Sequence, residues 1–125
     1  QPLLLVVDDD QELCQSLWDL LRERGFRVCL AGDQTSAAQR LARRTYDVVL
    51  IDMKLPGGDG REVLRLVQKS NPEARTVVIT GYKDELMQAV EQARREGADA
   101  VFYKPFDIPK LLQTVDRLTS NGRAR

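Results

Sequence analysis

The chain has 125 residues, which is the usual size of a single domain and enough to bury a hydrophobic core. Its 19 lysines and arginines balance 19 aspartates and glutamates, which argues against a general binder of nucleic acid or anionic membranes, since such proteins carry a basic excess. The sequence has no histidine. This excludes histidine-ligated zinc, a serine–histidine or cysteine–histidine catalytic pair, and a phosphohistidine on this chain.

The cysteines, the apolar runs and the terminal residues predict the cellular compartment and the bounds of the domain. Cys14 and Cys29 lie in apolar patterns, and we interpret them as buried free thiols of a reducing compartment, with a disulfide left open. No apolar run is long enough to span a membrane and no signal peptide is visible, so we expect a cytoplasmic protein. We expect one domain over residues 1–120, followed at 121–125 by a polar tail or the start of a linker, within a longer protein.

Two hydrophobic patterns alternate along the chain. Five runs are continuously apolar, which is typical of parallel strands covered on both faces: Leu3–Val7, Val28–Ala31, Val48–Ile51, Val77–Ile79 and Ala100–Tyr103. Each run is followed by apolar residues at helical spacing: Leu13, Leu17, Leu20 and Leu21; Ala38, Leu41 and Ala42; Val63, Leu64 and Val67; Leu86, Ala89, Val90 and Ala93; and Ile108, Leu111, Leu112, Val115 and Leu118. Gly25 and Gly97 act as helix stops.

This alternation predicts an α/β fold of the (βα)5 type. Five strands are too few for a closed eight-stranded barrel, so the prediction is a doubly wound, flavodoxin-like parallel sheet with strand order 2-1-3-4-5. In such sheets ligands bind beyond the carboxyl ends of the strands at the switch point, here between strands 1 and 3.

Polar residues follow four of the five predicted strands. Strand 1 runs into Asp8, Asp9 and Asp10, and strands 3, 4 and 5 run into Asp52, Thr80 and Lys104. Because these strands are neighbours in the predicted order, we expect their polar ends to converge on one cleft. Carboxylates held close together repel one another unless a cation is present, and oxygen ligands suit Mg²⁺. An ammonium and a hydroxyl beside a carboxylate nucleophile are groups that phosphoryl transfer to an aspartate needs.

Four segments carry a family resemblance. In order and spacing, "LLVVDDD", "VVLIDMKLPGGDG", "VVITGY" and "GADAVFYKPF" resemble the four signatures of the receiver domain of two-component response regulators. The resemblance covers essentially the whole chain. It implies that Asp52 is the phospho-acceptor, that Asp9 ligates Mg²⁺ directly and Asp8 mainly through water, and that the backbone carbonyl of Lys54 completes the protein ligands.

The resemblance also implies how the phosphoryl group is held and passed on. Thr80 would donate its hydroxyl to one phosphoryl oxygen, Lys104 would pair with another, and the Lys104–Pro105 bond would be cis. The donor would be a histidine kinase or phosphotransfer domain carrying phosphohistidine, and the chain would catalyse only its own phosphorylation and dephosphorylation. Phosphorylation would shift the surface formed by the fourth predicted helix, the fifth strand and the fifth helix. A phosphorylation-dependent dimer, the output domain and the parent type (hybrid sensor kinase or response regulator) stay open.

Several positions vary within the family or depart from its commonest pattern. Val101 occupies the place of the usual switch aromatic, and we hypothesise that Tyr103, on the same strand face, partly replaces that ring. Lys54 and Tyr82 flank the path of the hydrolytic water in the family, so we predict slow self-dephosphorylation. Asp10 is interpreted as the start of the first helix.

Some residues and functions are set aside by local chemistry. Asp59 and Glu62 resemble a helix-capping pair, and the clustered Arg40, Arg43 and Arg44 fit a solvated helix face. A dehalogenase-type Mg²⁺-dependent phosphatase would need a second aspartate where Lys54 stands, and a flavodoxin-like cofactor module would need a phosphate-binding loop after strand 1. A degenerate receiver that only binds a partner stays open as an alternative, because the switch aromatic is absent.

Overall fold

A computed structural model describes residues 1–56, 58–81, 91 and 94–123 of the chain. The predicted helix of Leu86, Ala89, Val90 and Ala93 therefore lies outside the described residues, as does Tyr82. Within the described ranges, no helix is both long and apolar enough to cross a bilayer.

The central feature is a five-stranded parallel sheet. Its strands are β1 (Leu3–Val7), β2 (Arg27–Ala31), β3 (Val48–Asp52), β6 (Arg75–Thr80) and β7 (Ala100–Tyr103), in the spatial order β2-β1-β3-β6-β7. This is the predicted 2-1-3-4-5 order, so the predicted fold is confirmed. Two short antiparallel strands that the sequence analysis did not predict, β4 (Lys54–Leu55) and β5 (Gly58–Asp59), lie between β3 and the next helix.

Helices follow β1, β2, β5 and β7. They are α1 (Gln11–Glu23), α2 (Gln34–Arg43), α3 (Gly60–Ser70) and the C-terminal helix α4 (Ile108–Arg123). Asp10, Asp33 and Asp59 cap the first three, each accepting a hydrogen bond from the backbone N–H three residues on. The capping interpretations of Asp10 and Asp59 are thus confirmed, and Gly25 ends α1 with a φ of 92°.

Alternate residues of the sheet face two separate cores. One face, with Leu5, Val49 and Val78, packs on α2 and α3, and the other, with Val6 and Leu50, packs on α1 and α4. The central strands β1 and β3 are buried throughout, whereas the edge strands β2 and β7 are only half-buried over most of their length. The inner strands therefore form the rigid base on which the strand-end residues stand.

Two local predictions about burial are wrong. In α2 the buried residues are Ala37 and Leu41, whereas Ala38 is half-buried and Ala42 is exposed, because the helix places residues 37 and 41 on the same face. Cys14 is buried as predicted, but Cys29 is only half-buried because it lies on the edge strand β2. Both cysteines are free thiols.

Leu50→Ala should destabilise the fold strongly, since Leu50 lies at the centre of β3 and is 0% exposed. We expect the free energy of unfolding to fall by about 2–5 kcal/mol in urea titrations. Leu20→Ala, at a half-buried position of α1, is the matched control and should cost clearly less. Equal losses for the two variants would contradict this account of the core.

Candidate functional site

Strand register brings the predicted polar residues to one edge of the sheet. Val7 of β1 lies opposite Ile51 of β3, so the next residues, Asp8 and Asp52, lie side by side. Asp52 is in turn opposite Ile79, the residue before Thr80. The convergence expected from the sequence is therefore present for Asp8, Asp52 and Thr80.

Lys104 connects the two carboxylates. It follows β7, where its backbone N–H donates to the carbonyl oxygen of Thr80 at 2.7 Å, and its bond to Pro105 is cis, as expected. The Lys104 Nζ lies 2.9 Å from Asp8 Oδ2 and 3.3 Å from Asp52 Oδ2. One ammonium thus neutralises part of the charge of two neighbouring carboxylates.

Backbone groups fix the other oxygen of each carboxylate. Asp52 Oδ1 accepts a hydrogen bond from the N–H of Lys54 at 3.0 Å, and Asp8 Oδ1 accepts one from the N–H of Asp10 at 2.9 Å. Both contacts are made within two residues of the aspartate itself. They orient the carboxylates before any ligand arrives.

Gly60 packs directly against the backbone of Asp52 and Met53. Its N–H donates to the carbonyl oxygen of Met53 at 2.9 Å, and a Cβ at this position would lie 2.7 Å from Met53 Cα and in contact with the carbonyl oxygen of Asp52. Only a glycine lets the start of α3 approach β3 this closely. The contact sets the path of the chain that carries Asp52 and Lys54.

Asp52 and Lys104 both have a pKa above the ordinary value, but for different reasons. Burial is the main reason that the pKa of Asp52 lies above its ordinary value, and the nearby Asp8 carboxylate adds to this, against the lowering effects of the Lys54 N–H and Lys104. Burial lowers the pKa of Lys104, but its contacts with Asp8 and Asp52 outweigh that effect and raise it. Lys104 is therefore a permanent cation here, whereas burial disfavours the charged form of the Asp52 carboxyl group.

The acidic cluster fits a hard divalent cation. One carboxylate oxygen from each of Asp8, Asp9 and Asp52 lies within 4.8 Å of the others. Asp8 and Asp52 are buried and Asp9 is exposed. Among the described residues, Asp8 Oδ2 makes the ion pair with Lys104 and no further hydrogen bond. An oxygen-only donor set with one open side suits Mg²⁺ or a similar ion.

The acidic cluster borders a cleft of about 490 Å³. Its walls are Asp9, Asp10, Asp52, Lys54, Leu55, Pro56, Gly81 and Lys104. Lys54 is exposed at this rim, whereas Thr80 is fully buried beneath it. Tyr103 is half-buried opposite Thr80 in the strand register, and Val101 packs on the side of α2 and α3. The role proposed for Tyr103 stays a prediction.

Two contacts at the site were not foreseen from the sequence. The Cys14 thiol donates to the carbonyl oxygen of Asp8 at 3.2 Å, and burial together with Asp8 and Asp10 raises the pKa of Cys14 to about 11. Gly60 is the second. The apolar spacing around Cys14 predicted its burial, but no pattern in the chain signals the hydrogen bond to Asp8.

Asp52→Asn should stabilise the metal-free protein at neutral pH. The folded pKa of Asp52 lies above its ordinary value of 3.8. The carboxyl is therefore protonated in both states below that value, and the cost to folding appears as the pH rises through the folded pKa. We expect the variant to be more stable than wild type in urea unfolding at about pH 7 with EDTA, and the gain to shrink toward about pH 4. Asp59→Asn, at an exposed cap, is the control. A variant no more stable than wild type at neutral pH would contradict the assignment.

Comparison with protein families identifies a match over most of the chain. The family described as response regulator receiver domain matches residues 4–116. The transcriptional regulatory protein ZraR of Klebsiella oxytoca is 32% identical over 96% of this chain, and a response regulator receiver protein of Anaeromyxobacter is 37% identical over 86%. The chain spans only 27% and 44% of the length of these two relatives.

Solved structures with the same fold include response regulators with bound ligands. A response regulator from Burkholderia pseudomallei with a phosphorylated aspartic acid, calcium ion and citrate has a TM-score of 0.84 and 25% identity, covering 99% of this chain and 72% of that one. The response regulator TrrA from Thermotoga maritima, in complex with Mg(2+)-BeF, has a TM-score of 0.80 and 27% identity, covering 94% and 99%.

Proposed function

The chain belongs to the response regulator receiver domain family, and from this premise we propose that it accepts a phosphoryl group on Asp52. The single observation that carries the proposal is the position of Lys104 Nζ, 2.9 Å from Asp8 and 3.3 Å from Asp52. This geometry places a fixed cation beside a carboxylate that opens onto a cleft. A phosphoryl group arriving at Asp52 would meet that cation.

The proposed chemistry is a transfer between two heteroatoms. An oxygen of Asp52 forms a bond to phosphorus while the bond between phosphorus and the donor's imidazole nitrogen breaks, and the imidazole leaves with the electron pair. The Lys54 N–H, at 3.0 Å from Asp52 Oδ1, and Lys104, at 3.3 Å from Asp52 Oδ2, hold the carboxylate in place at the wall of the cleft. Hydrolysis later returns Asp52 to the free carboxylate.

The neighbouring residues stabilise the charge on the phosphoryl group. Lys104 would pair with one phosphoryl oxygen and the buried Thr80 would donate its hydroxyl to another. Mg²⁺, held by Asp8, Asp9, Asp52 and the backbone carbonyl of Lys54, would supply further neutralisation of the phosphoryl oxygens. The phosphorylated aspartic acid of the Burkholderia structure and the Mg(2+)-BeF complex of TrrA support this assignment.

The proposed partner is a histidine kinase or a phosphotransfer domain, since this chain has no histidine of its own. We propose that the domain acts on no other substrate and catalyses only its own phosphorylation and dephosphorylation. Thr80 lies opposite Tyr103 in the register, and Lys104 contacts the carbonyl oxygen of Thr80. A movement of Thr80 toward the phosphoryl group would therefore be passed to β7 and its surface.

Asp52→Asn should abolish phosphorylation. Wild type incubated with acetyl phosphate and Mg²⁺ should gain the mass of one phosphoryl group, and the variant should not. Asp59→Asn, which neutralises a nearby exposed carboxylate and keeps a good helix cap, should still be modified. Mass spectrometry with peptide mapping provides the measurement. If wild type takes up no phosphoryl group at Asp52, a degenerate receiver would replace this proposal.

Lys54→Ala should shorten the life of the acyl phosphate. Lys54 is exposed on the wall of the cleft beside Asp52, where its long side chain would shield the phosphoryl group from water. We expect the acyl phosphate of the variant to hydrolyse several-fold faster than that of wild type. The rate is measured as the loss of phosphoprotein with time after the phosphoryl donor is removed. Lys69→Ala, at an exposed position in the last turn of α3, is the control. Equal lifetimes in all three proteins would contradict the shielding role.

A further inference from the structure

A second cleft lies between β2 and the exposed face of α2. It has a volume of about 560 Å³, within the range of about 300–1,000 Å³ that is usual for small-ligand sites. Its walls come from β2, from α2 with the residues that flank it, and from Tyr46. No residue of this lining is acidic.

Three guanidinium groups give the cleft its charge. Arg40, Arg43 and Arg44 are exposed, as the sequence predicts, yet all three line the same concavity. Within the described ranges none of them pairs with a carboxylate. Arg40 Nε donates to the carbonyl oxygen of Leu30 at 3.2 Å, which anchors that side chain across the edge of β2. The fork of an arginine side chain matches the oxygens of a phosphate group.

Tyr46 adds an independent sign of a ligand. The residue is 3% exposed and lines the cleft, and its hydroxyl lies beside the Cys29 thiol without a hydrogen bond of ordinary geometry to any described residue. Burial and the neighbouring Cys29 thiol raise the pKa of Tyr46 to about 12, against smaller lowering effects of Arg40 and Arg44. The hydroxyl is therefore a neutral donor close to two guanidinium groups. A buried donor without an acceptor is costly to a fold unless something else accepts its hydrogen bond.

We propose that the cleft between β2 and α2 binds the phosphate group of a small molecule. Arg40, Arg43 and Arg44 would neutralise the phosphate oxygens, and Ser36, Gln39 and Tyr46 would offer neutral hydrogen bonds to the same ligand. The site shares no residue with the walls of the cleft at Asp52. Binding here is therefore a property separate from phosphorylation, and either one can fail without the other.

Binding is tested with inorganic phosphate and with ADP as probes, in EDTA and in the Asp52→Asn background, by NMR titration of backbone amides. We expect saturable shifts at Gly32 and Ser36 in the millimolar range or below. Tighter binding of ADP would identify a phosphate ester as the ligand, and binding of phosphate alone would identify the free anion. Absence of saturable shifts at these amides would overturn the proposal.

Three variants separate a specific site from general attraction. Arg43→Gln should weaken phosphate binding by about tenfold, because a charge-assisted contact is lost. Tyr46→Phe should weaken binding several-fold with little effect on stability, since the lost hydroxyl makes no hydrogen bond of ordinary geometry to the described part of the chain. Arg117→Gln, which removes an exposed charge on α4, should leave binding unchanged. Equal weakening by Arg117→Gln and Arg43→Gln, or a Tyr46→Phe variant that is destabilised but binds normally, would overturn the proposal.

Discussion

The contact on which the site depends is the placement of Lys104 between Asp8 and Asp52. Two buried carboxylates at the ends of neighbouring strands repel each other, and burial further disfavours their charged forms. The Lys104 ammonium, at 2.9 and 3.3 Å, reduces the repulsion between the two carboxylates. It leaves a net negative charge, because two negative charges face one positive charge. The remaining negative charge suits a divalent cation, and a bound cation would offset the charge of the phosphoryl group proposed to arrive at Asp52.

The architecture places these groups with little freedom. The inner strands β1 and β3 are buried along their whole length, so Asp8 and Asp52 extend from a rigid base. Gly60 holds the start of α3 against the backbone of Met53, and Cys14 holds the carbonyl oxygen of Asp8. Acidic and basic side chains also lie at different places in the fold. The acidic cluster lies at the β1–β3 switch point, and the arginines of α2 line a separate cleft beside β2.

Much of this arrangement was predictable because it follows from strand order. Once five apolar runs are assigned to a 2-1-3-4-5 sheet, residues such as Asp52 and Lys104 must meet at the carboxyl edge. What could not be predicted depends on close approach between elements. Gly60 is one of several glycines in a turn, and nothing local marks it as the one that touches β3. The phase of α2 was also missed, since alanines 37 and 38 are equally apolar and only the packed helix shows which one is buried.

The acidic cluster carries an excess of negative charge, which a divalent cation would relieve. The most direct test is the free energy of unfolding measured against Mg²⁺ concentration for wild type and for Asp8→Asn. Because an ion that binds only the folded state stabilises it in proportion to the logarithm of its concentration above the Kd, the wild type should gain stability steadily with Mg²⁺. The variant should gain much less. A wild-type stability that does not respond to Mg²⁺, or a variant that responds equally, would contradict the account.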